Sequence, residues 1–311
     1  MSNLHHSNSA EPLSWAEKNG FAHWAIAMIW LVVALLLFQG GASVVILILI
    51  IFTEGFVSVD EIMELLASRV DLLFIANSVG QILFIGMASF IVVSLNRVSE
   101  TKRSFMRIAW YQDTPKYILL GTLLIVVVQP IVIYLGYLNS LLPIPEAMEL
   151  MQESQYQMIL DFLMRDGVLL FALFTVAVIP AICEEILFRG YILKAFEKSW
   201  GIITAIIVSG LLFGLFHLQV GNLMPLATLG IVLAIMTWLS GSIWPAVVAH
   251  FINNGAAVVV GINMPELFFQ DITKENLPPL WLLLISVLLT CLIVYSMLKP
   301  KMAEGKLTNN L

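Results

Sequence analysis

Long apolar runs alternate with short polar loops along almost the whole chain. Eight runs stand out, roughly 24–53, 72–95, 117–138, 167–188, 201–218, 223–239, 243–262 and 279–298. Each comes near the ~20 residues that a helix needs to cross a bilayer. The first is over-long and carries Gly40 and Gly41, so a tilt or bend is expected there. It follows a mixed polar stretch, 1–22, with no basic region, short apolar core and small-residue cleavage site in sequence. It therefore reads as an uncleaved span rather than a signal peptide. The expectation is an all-α polytopic membrane protein of about eight transmembrane helices.

Composition agrees. Of 311 residues, 60% are hydrophobic and 12% charged, where a soluble domain carries about 25% charged residues. The placement of the charges says more than their sum. With the N-terminus in the cytoplasm, the inner loops collect Lys18, Arg97, Lys102, Arg103, Arg107, Lys116, Arg189, Lys194, Lys198, Lys299, Lys301 and Lys306. Only Arg69, Arg165 and Lys274 fall outside. Twelve of the 15 basic residues on one side is a strong positive-inside bias, and an even number of spans returns the C-terminus to the cytoplasm. The outer loops are acidic, with Glu54, Asp60, Glu61, Glu64 and Asp71 in the first and Glu146, Glu149, Glu153, Asp161 and Asp166 in the second. The second also holds an amphipathic stretch with Met148, Met151, Ile159, Leu160 and Phe162, which suits an interfacial helix or a solvated one equally. No basic patch, phosphate loop or dinucleotide fingerprint points to nucleic acid or nucleotide. Cys183 and Cys291 lie in apolar runs and read as small buried hydrophobes.

Polar side chains inside the apolar runs are not evenly spread. The first three spans hold no charged residue in their interiors, only scattered amides such as Asn77, Gln81 and Gln129. The later ones hold Glu184, Glu185 and Arg189, then Phe213 and His217, then His250 and Asn254. A carboxylate at the bilayer centre costs about 2.5–3.5 kcal/mol on insertion scales. Convergence of these groups on one intramembrane cavity is the cheaper arrangement. Glu185 and Arg189 are four apart on a helix and can pair, which turns Glu184 about 100° away. Pro180 just before them suggests a kink. His250 and Asn254 share a helix face by the same spacing, and Phe213 stands one turn before His217.

No Ser or Cys in these motifs has a neighbouring base, and nothing activates Cys183. A carboxylate and a histidine together can deprotonate a water. A second histidine and an amide can donate to an oxyanion. The set suits amide hydrolysis without a covalent intermediate. Equally, Glu184, His217 and His250 could hold a zinc ion with an activated water.

The three motifs resemble those of the CAAX prenyl protease and bacteriocin-processing family, also called the abortive-infection family. They read Glu184-Glu185-Ile186-Leu187-Phe188-Arg189, Phe213-Gly214-Leu215-Phe216-His217 and His250-Phe251-Ile252-Asn253-Asn254. The resemblance covers about residues 165–262, a catalytic core. Around it lie a cytoplasmic tail at 1–22, N-terminal helices and acidic loops over 23–160, and a last helix with a basic tail over 263–311. The resemblance implies an intramembrane endopeptidase of a bacterial inner membrane, acting on a membrane-associated peptide or protein. Glu184 would be the base on water with His217, His250 and Asn254 would stabilise the oxyanion, and Glu185 with Arg189 would support them. Members are described as metalloproteases and as glutamate proteases, so the metal stays open. A non-catalytic immunity or scaffold protein of the same fold is the alternative, and a proton-coupled transporter a third. One conflict is built into the span assignment. Glu184 falls near the inner end of the fourth span, and His217 falls about 24 Å deeper at 1.5 Å per residue. The two meet if the fourth helix continues through Lys198, which is the expected resolution, or if the fifth span begins within the membrane.

Overall fold

A backbone in hydrocarbon has no water to satisfy its amides and carbonyls, so the apolar runs are committed to helix. A computed structural model describes residues 13–98, 100–268 and 272–303. The ends of the tails expected at 1–22 and 263–311, residues 1–12 and 304–311 with Lys306, lie outside the described residues. Among the described residues there is no strand. The helices of at least two turns are α1 His23–Glu54, α2 Val59–Ser68, α3 Val70–Asn96, α4 Thr114–Val127, α5 Gln129–Ser140, α6 Glu146–Leu163, α7 Leu169–Trp200, α8 Ile202–Phe216, α9 Leu223–Ser240, α10 Trp244–Asn263 and α11 Leu280–Ala303.

All eight apolar runs are helical, but they are not eight equal spans. Six helices, α1, α3, α7, α9, α10 and α11, are long and apolar enough to cross a membrane. The third run is two helices, α4 and α5, bent by 42° and counting as a seventh span if taken together. Pro130, in the first turn of α5, lacks the amide that would continue α4 and accounts for the bend. The fifth run, α8, has only 15 residues. At 1.5 Å per residue it reaches about 22 Å, short of the ~30 Å hydrocarbon core. Helix α1 runs unbroken through Gly40 and Gly41, and a Cβ on Gly41 would meet the Phe84 ring of α3 at 2.1 Å. That glycine therefore serves a close helix crossing.

Helix α7 is the centre of the fold. It is among the most buried spans, half-buried like α9, whereas α1 and α11 are mostly exposed. Leu187, Phe188, Tyr191 and Ile192 are fully buried against α1, α3 and α8. Three segments widen to π-helical turns: Gln81–Met87 in α3, and Leu173–Val178 and Ile186–Ile192 in α7. The last two bracket Pro180, Glu184 and Glu185, so the helix absorbs Pro180 without breaking. Helix α7 continues to Trp200, as the depth conflict required. Glu184 thus sits mid-helix rather than at an inner end, and Arg189, counted above among loop residues, is buried in mid-span.

After the turn at Gly201, where φ is +76°, α8 returns antiparallel. Glu184 lies 16 residues before Trp200 and His217 lies 16 after Gly201, so the hairpin brings them level. Helix α8 then packs against α9 through small residues. A Cβ on Gly210 would come within 2.5 Å of Ile231, one on Gly214 within 2.9 Å of the Ala227 amide, and one on Gly230 within 2.7 Å of the Gly210 carbonyl.

Both ends of the bundle are tied by ion pairs. At one end Arg107 pairs with Glu197 at 2.6 Å, Lys198 with Glu100 at 2.9 Å, and the rings of Trp24 and Trp200 lie 5.4 Å apart. At the other, Arg69 bridges Glu54 and Asp71, and Arg165 donates to the Ser68 carbonyl at 2.9 Å. Replacing Gly230 with Val overpacks the α8–α9 crossing and should cost about 1–3 kcal/mol. Gly40, whose Cβ would meet nothing within 4 Å, should accept Ala without loss. Thermal melts in detergent compare the two directly.

Candidate active site

The six polar residues that the sequence singles out come together in the middle of the bundle. Glu184, Glu185 and Arg189 come from α7, His217 from the end of α8, and His250 and Asn254 from α10. Glu185 is completely buried and Arg189 is 1% exposed. Arg189 donates through Nη1 to Glu185 Oε1 at 2.8 Å and through Nη2 to the Gly230 carbonyl at 2.9 Å. The close α8–α9 crossing is what brings that carbonyl within reach. The same Glu185 oxygen lies 2.9 Å from His250 Nδ1. Sequence spacing gave the Glu185–Arg189 pair but not this bond, which joins α7 to α10 across 65 residues.

These bonds fix tautomers. A carboxylate oxygen only accepts, so His250 Nδ1 carries the hydrogen and Nε2 is left facing Glu184. His217 Nδ1 lies 2.7 Å from the Phe213 carbonyl, which also only accepts. His217 Nε2 is therefore the atom turned to Glu184 Oε2, at 3.8 Å, with His250 Nε2 at 4.0 Å from the same oxygen. Both spacings exceed a direct hydrogen bond. Glu184 is 7% exposed, and its Oε2 has no hydrogen-bond partner among the described residues.

Phe213 is buried among the charged and imidazole groups of the site. Its ring lies under the Arg189 guanidinium at 4.5 Å and beside the rings of His217 and His250, with centroids 4.8 and 5.7 Å apart. Asn254 donates from Nδ2 to the Val176 carbonyl at 3.1 Å, and the same nitrogen lies 3.3 Å from His250 Nε2. Pro180 has no amide to give Val176, four residues before it. The side chain of Asn254 satisfies that carbonyl instead, and the proline in the sequence was the signal for it.

Glu184 and His217 line a cavity of about 520 Å3. Its other walls come from α1, α3 and α6, with Phe38, Asn77, Gln81 and Met158 among them. The amphipathic stretch of the second acidic loop thus roofs the site. His217, His250 and Asn254 also border a second space of only about 30 Å3.

The three residues suggested above as zinc ligands are not drawn together as a metal-binding group in this structure. Among the described residues no three His, Cys, Asp or Glu side chains stand grouped as a metal site. The 3.8 and 4.0 Å separations at Glu184 are wider than the ~3.3 Å between ligands that 2.0–2.1 Å bonds in a zinc tetrahedron give. His250 Nε2 also faces the Asn254 amide.

Arg189→Met would leave Glu185 buried with no cation and should cost about 3–5 kcal/mol, whereas adding Glu185→Leu should recover part of it. Denaturant melts of the single and double variants give both values.

No curated protein and no solved structure gave a match. Residues 166–256, just under a third of the chain, match the family model of type II CAAX prenyl endopeptidase Rce1-like proteins. That segment contains all six residues and the close α8–α9 crossing at the site. This match agrees with the resemblance of the three motifs to the CAAX prenyl protease and bacteriocin-processing family.

Proposed function

We propose that this protein is an intramembrane endopeptidase that hydrolyses a peptide bond of a membrane-associated polypeptide by a metal-free, Glu- and His-activated water. The observation that carries this reading is Glu184 Oε2, buried and without a partner, facing two imidazole Nε2 atoms at 3.8 and 4.0 Å on the wall of the large cavity. Two acceptors about 4 Å apart suit one water that donates a hydrogen to each. Its oxygen lone pair is then aimed away from both, toward a substrate carbonyl.

In this mechanism Glu184 takes the water proton as the oxygen adds to the carbonyl carbon. His217, held by the Phe213 carbonyl, keeps the water in line. The proton then passes to the leaving nitrogen as the C–N bond breaks, and Glu184 is returned as a carboxylate. Charge develops on the former carbonyl oxygen. Both hydrogens of Asn254 Nδ2 are engaged at rest, one toward Val176 and one toward His250 Nε2. Turned away from His250 Nε2, that second hydrogen of Asn254 can be donated to the oxyanion with no proton beyond the water's own. Glu185 holds His250 Nδ1 from the other side, and Arg189 holds Glu185 in place. The basic end of the bundle lies in the cytoplasm of a bacterial cell by the positive-inside rule.

Cleavage of quenched fluorescent peptides by purified protein in micelles tests the reading. Glu184→Gln and His217→Ala should each lose roughly 10²–10⁴-fold in kcat with little change in melting temperature. Asn254→Ala should lose about 10²–10³-fold. Chelators such as EDTA should leave the wild-type rate unchanged. Full activity in Glu184→Gln removes the base, and inhibition by chelator reversed by zinc removes the metal-free form.

A further inference from the structure

Gln81 takes no part in the chemistry just described and lies outside the family-matched residues. Sequence reading passed over it as a stray polar group in an apolar span. Its placement says otherwise. It is 5% exposed, it lines the cavity that holds Glu184 and His217, and its Oε1 has no hydrogen-bond partner among the described residues. An unpaired buried amide is costly, and more so in a membrane. It also begins the π-helical segment of α3, a device found mostly at functional sites. That segment packs directly against the Glu184 region: a Cβ on Gly86 would lie 3.2 Å from Cys183 Sγ.

The rest of the wall repeats the same chemistry. Asn77 stands one turn before Gln81, and Gln39, Gln155 and Gln219 line the cavity from α1, α6 and the loop after α8. A side-chain carboxamide offers one acceptor and two donors, which matches the carbonyl and N–H of a peptide group. Among the described residues, Glu184 and His217 are the ionisable groups of the wall, and no Lys or Arg lines it. A free C-terminal carboxylate finds no cation there to pair with.

We propose that Gln81 is a substrate-binding residue whose carboxamide holds the backbone of an extended, uncharged, internal polypeptide segment beside Glu184. Asn77 lies on the same helix face and extends the row. This rests on the peptide-hydrolase reading above. It adds that the segment need not end in a free carboxylate.

The test separates binding from cleavage. The probe is a short fluorescein-labelled peptide of Ala, Leu, Ser and Gly, with an amidated or a free-acid C-terminus. Its affinity is read by anisotropy for the full chain carrying Glu184→Gln, alone and with Gln81→Leu or Gln81→Asn. Gln81→Leu should weaken binding of the amidated peptide by roughly tenfold. Its melting temperature should hold or rise, because an unpaired buried amide is gone. Gln81→Asn should fall between the two, and the free acid should bind no tighter than the amide. Cleavage in the wild-type background should show the loss in KM rather than kcat. Binding within twofold in Gln81→Leu, a fall in its melting temperature of several degrees, a free acid preferred tenfold, or no binding to Glu184→Gln would overturn the proposal. Peptide bound as expected but never cut by wild type would sustain this assignment and sink the hydrolase.

Discussion

One oxygen, Glu185 Oε1, carries more of this structure than any other atom. It accepts from Arg189 Nη1 and from His250 Nδ1, both within 2.9 Å. Through Arg189 Nη2 the same network reaches the Gly230 carbonyl of α9. Helices α7, α9 and α10 are thus tied together at a completely buried point. A buried ion pair is weak support for stability in general, since desolvation offsets the attraction. Its value here is registry. It sets which face of α7 looks at α10, and so leaves Glu184 directed at the imidazoles rather than at its neighbour's cation.

Depth is the second constraint. A helix that ends in mid-membrane leaves carbonyls to be satisfied, and α8 ends there. One of them, Phe213 O, is used at once by His217 Nδ1. The short helix, its return turn at Gly201 and the small-residue crossing with α9 act together. Shortening removes the length that would have carried His217 past Glu184. The glycines let α9 come close enough to lend a carbonyl to Arg189.

How much of this was legible in the sequence differs by kind of interaction. Helices follow from apolar runs because the bilayer allows no other backbone solution, so all eight runs were found. Their lengths were not, since the failure of α8 to span depends on where it packs. Contacts at i,i+4, such as Glu185 with Arg189 and His250 with Asn254, follow from helical periodicity. The Glu185–His250 bond and the Val176 carbonyl on Asn254 do not, because they depend on how two helices rotate against each other. Arg189 was miscounted as a loop residue for a related reason: hydropathy ended the fourth span where paired charges began, while the chain continued as helix. Gln81 was passed over because hydropathy cannot tell an amide tolerated in a span from one that faces a cavity.

The large cavity is walled from two sources. The residues proposed to do the chemistry stand on α7, α8 and α10, within the matched segment 166–256. Much of the lining opposite them stands on α1, α3 and α6, all encoded upstream of it. On the proposed reading, reaction and recognition are written in different stretches of the chain. Substitutions in the first half can retune what is accepted without touching what is done to it. Two proteins sharing the core could diverge in diet while keeping one way of cutting.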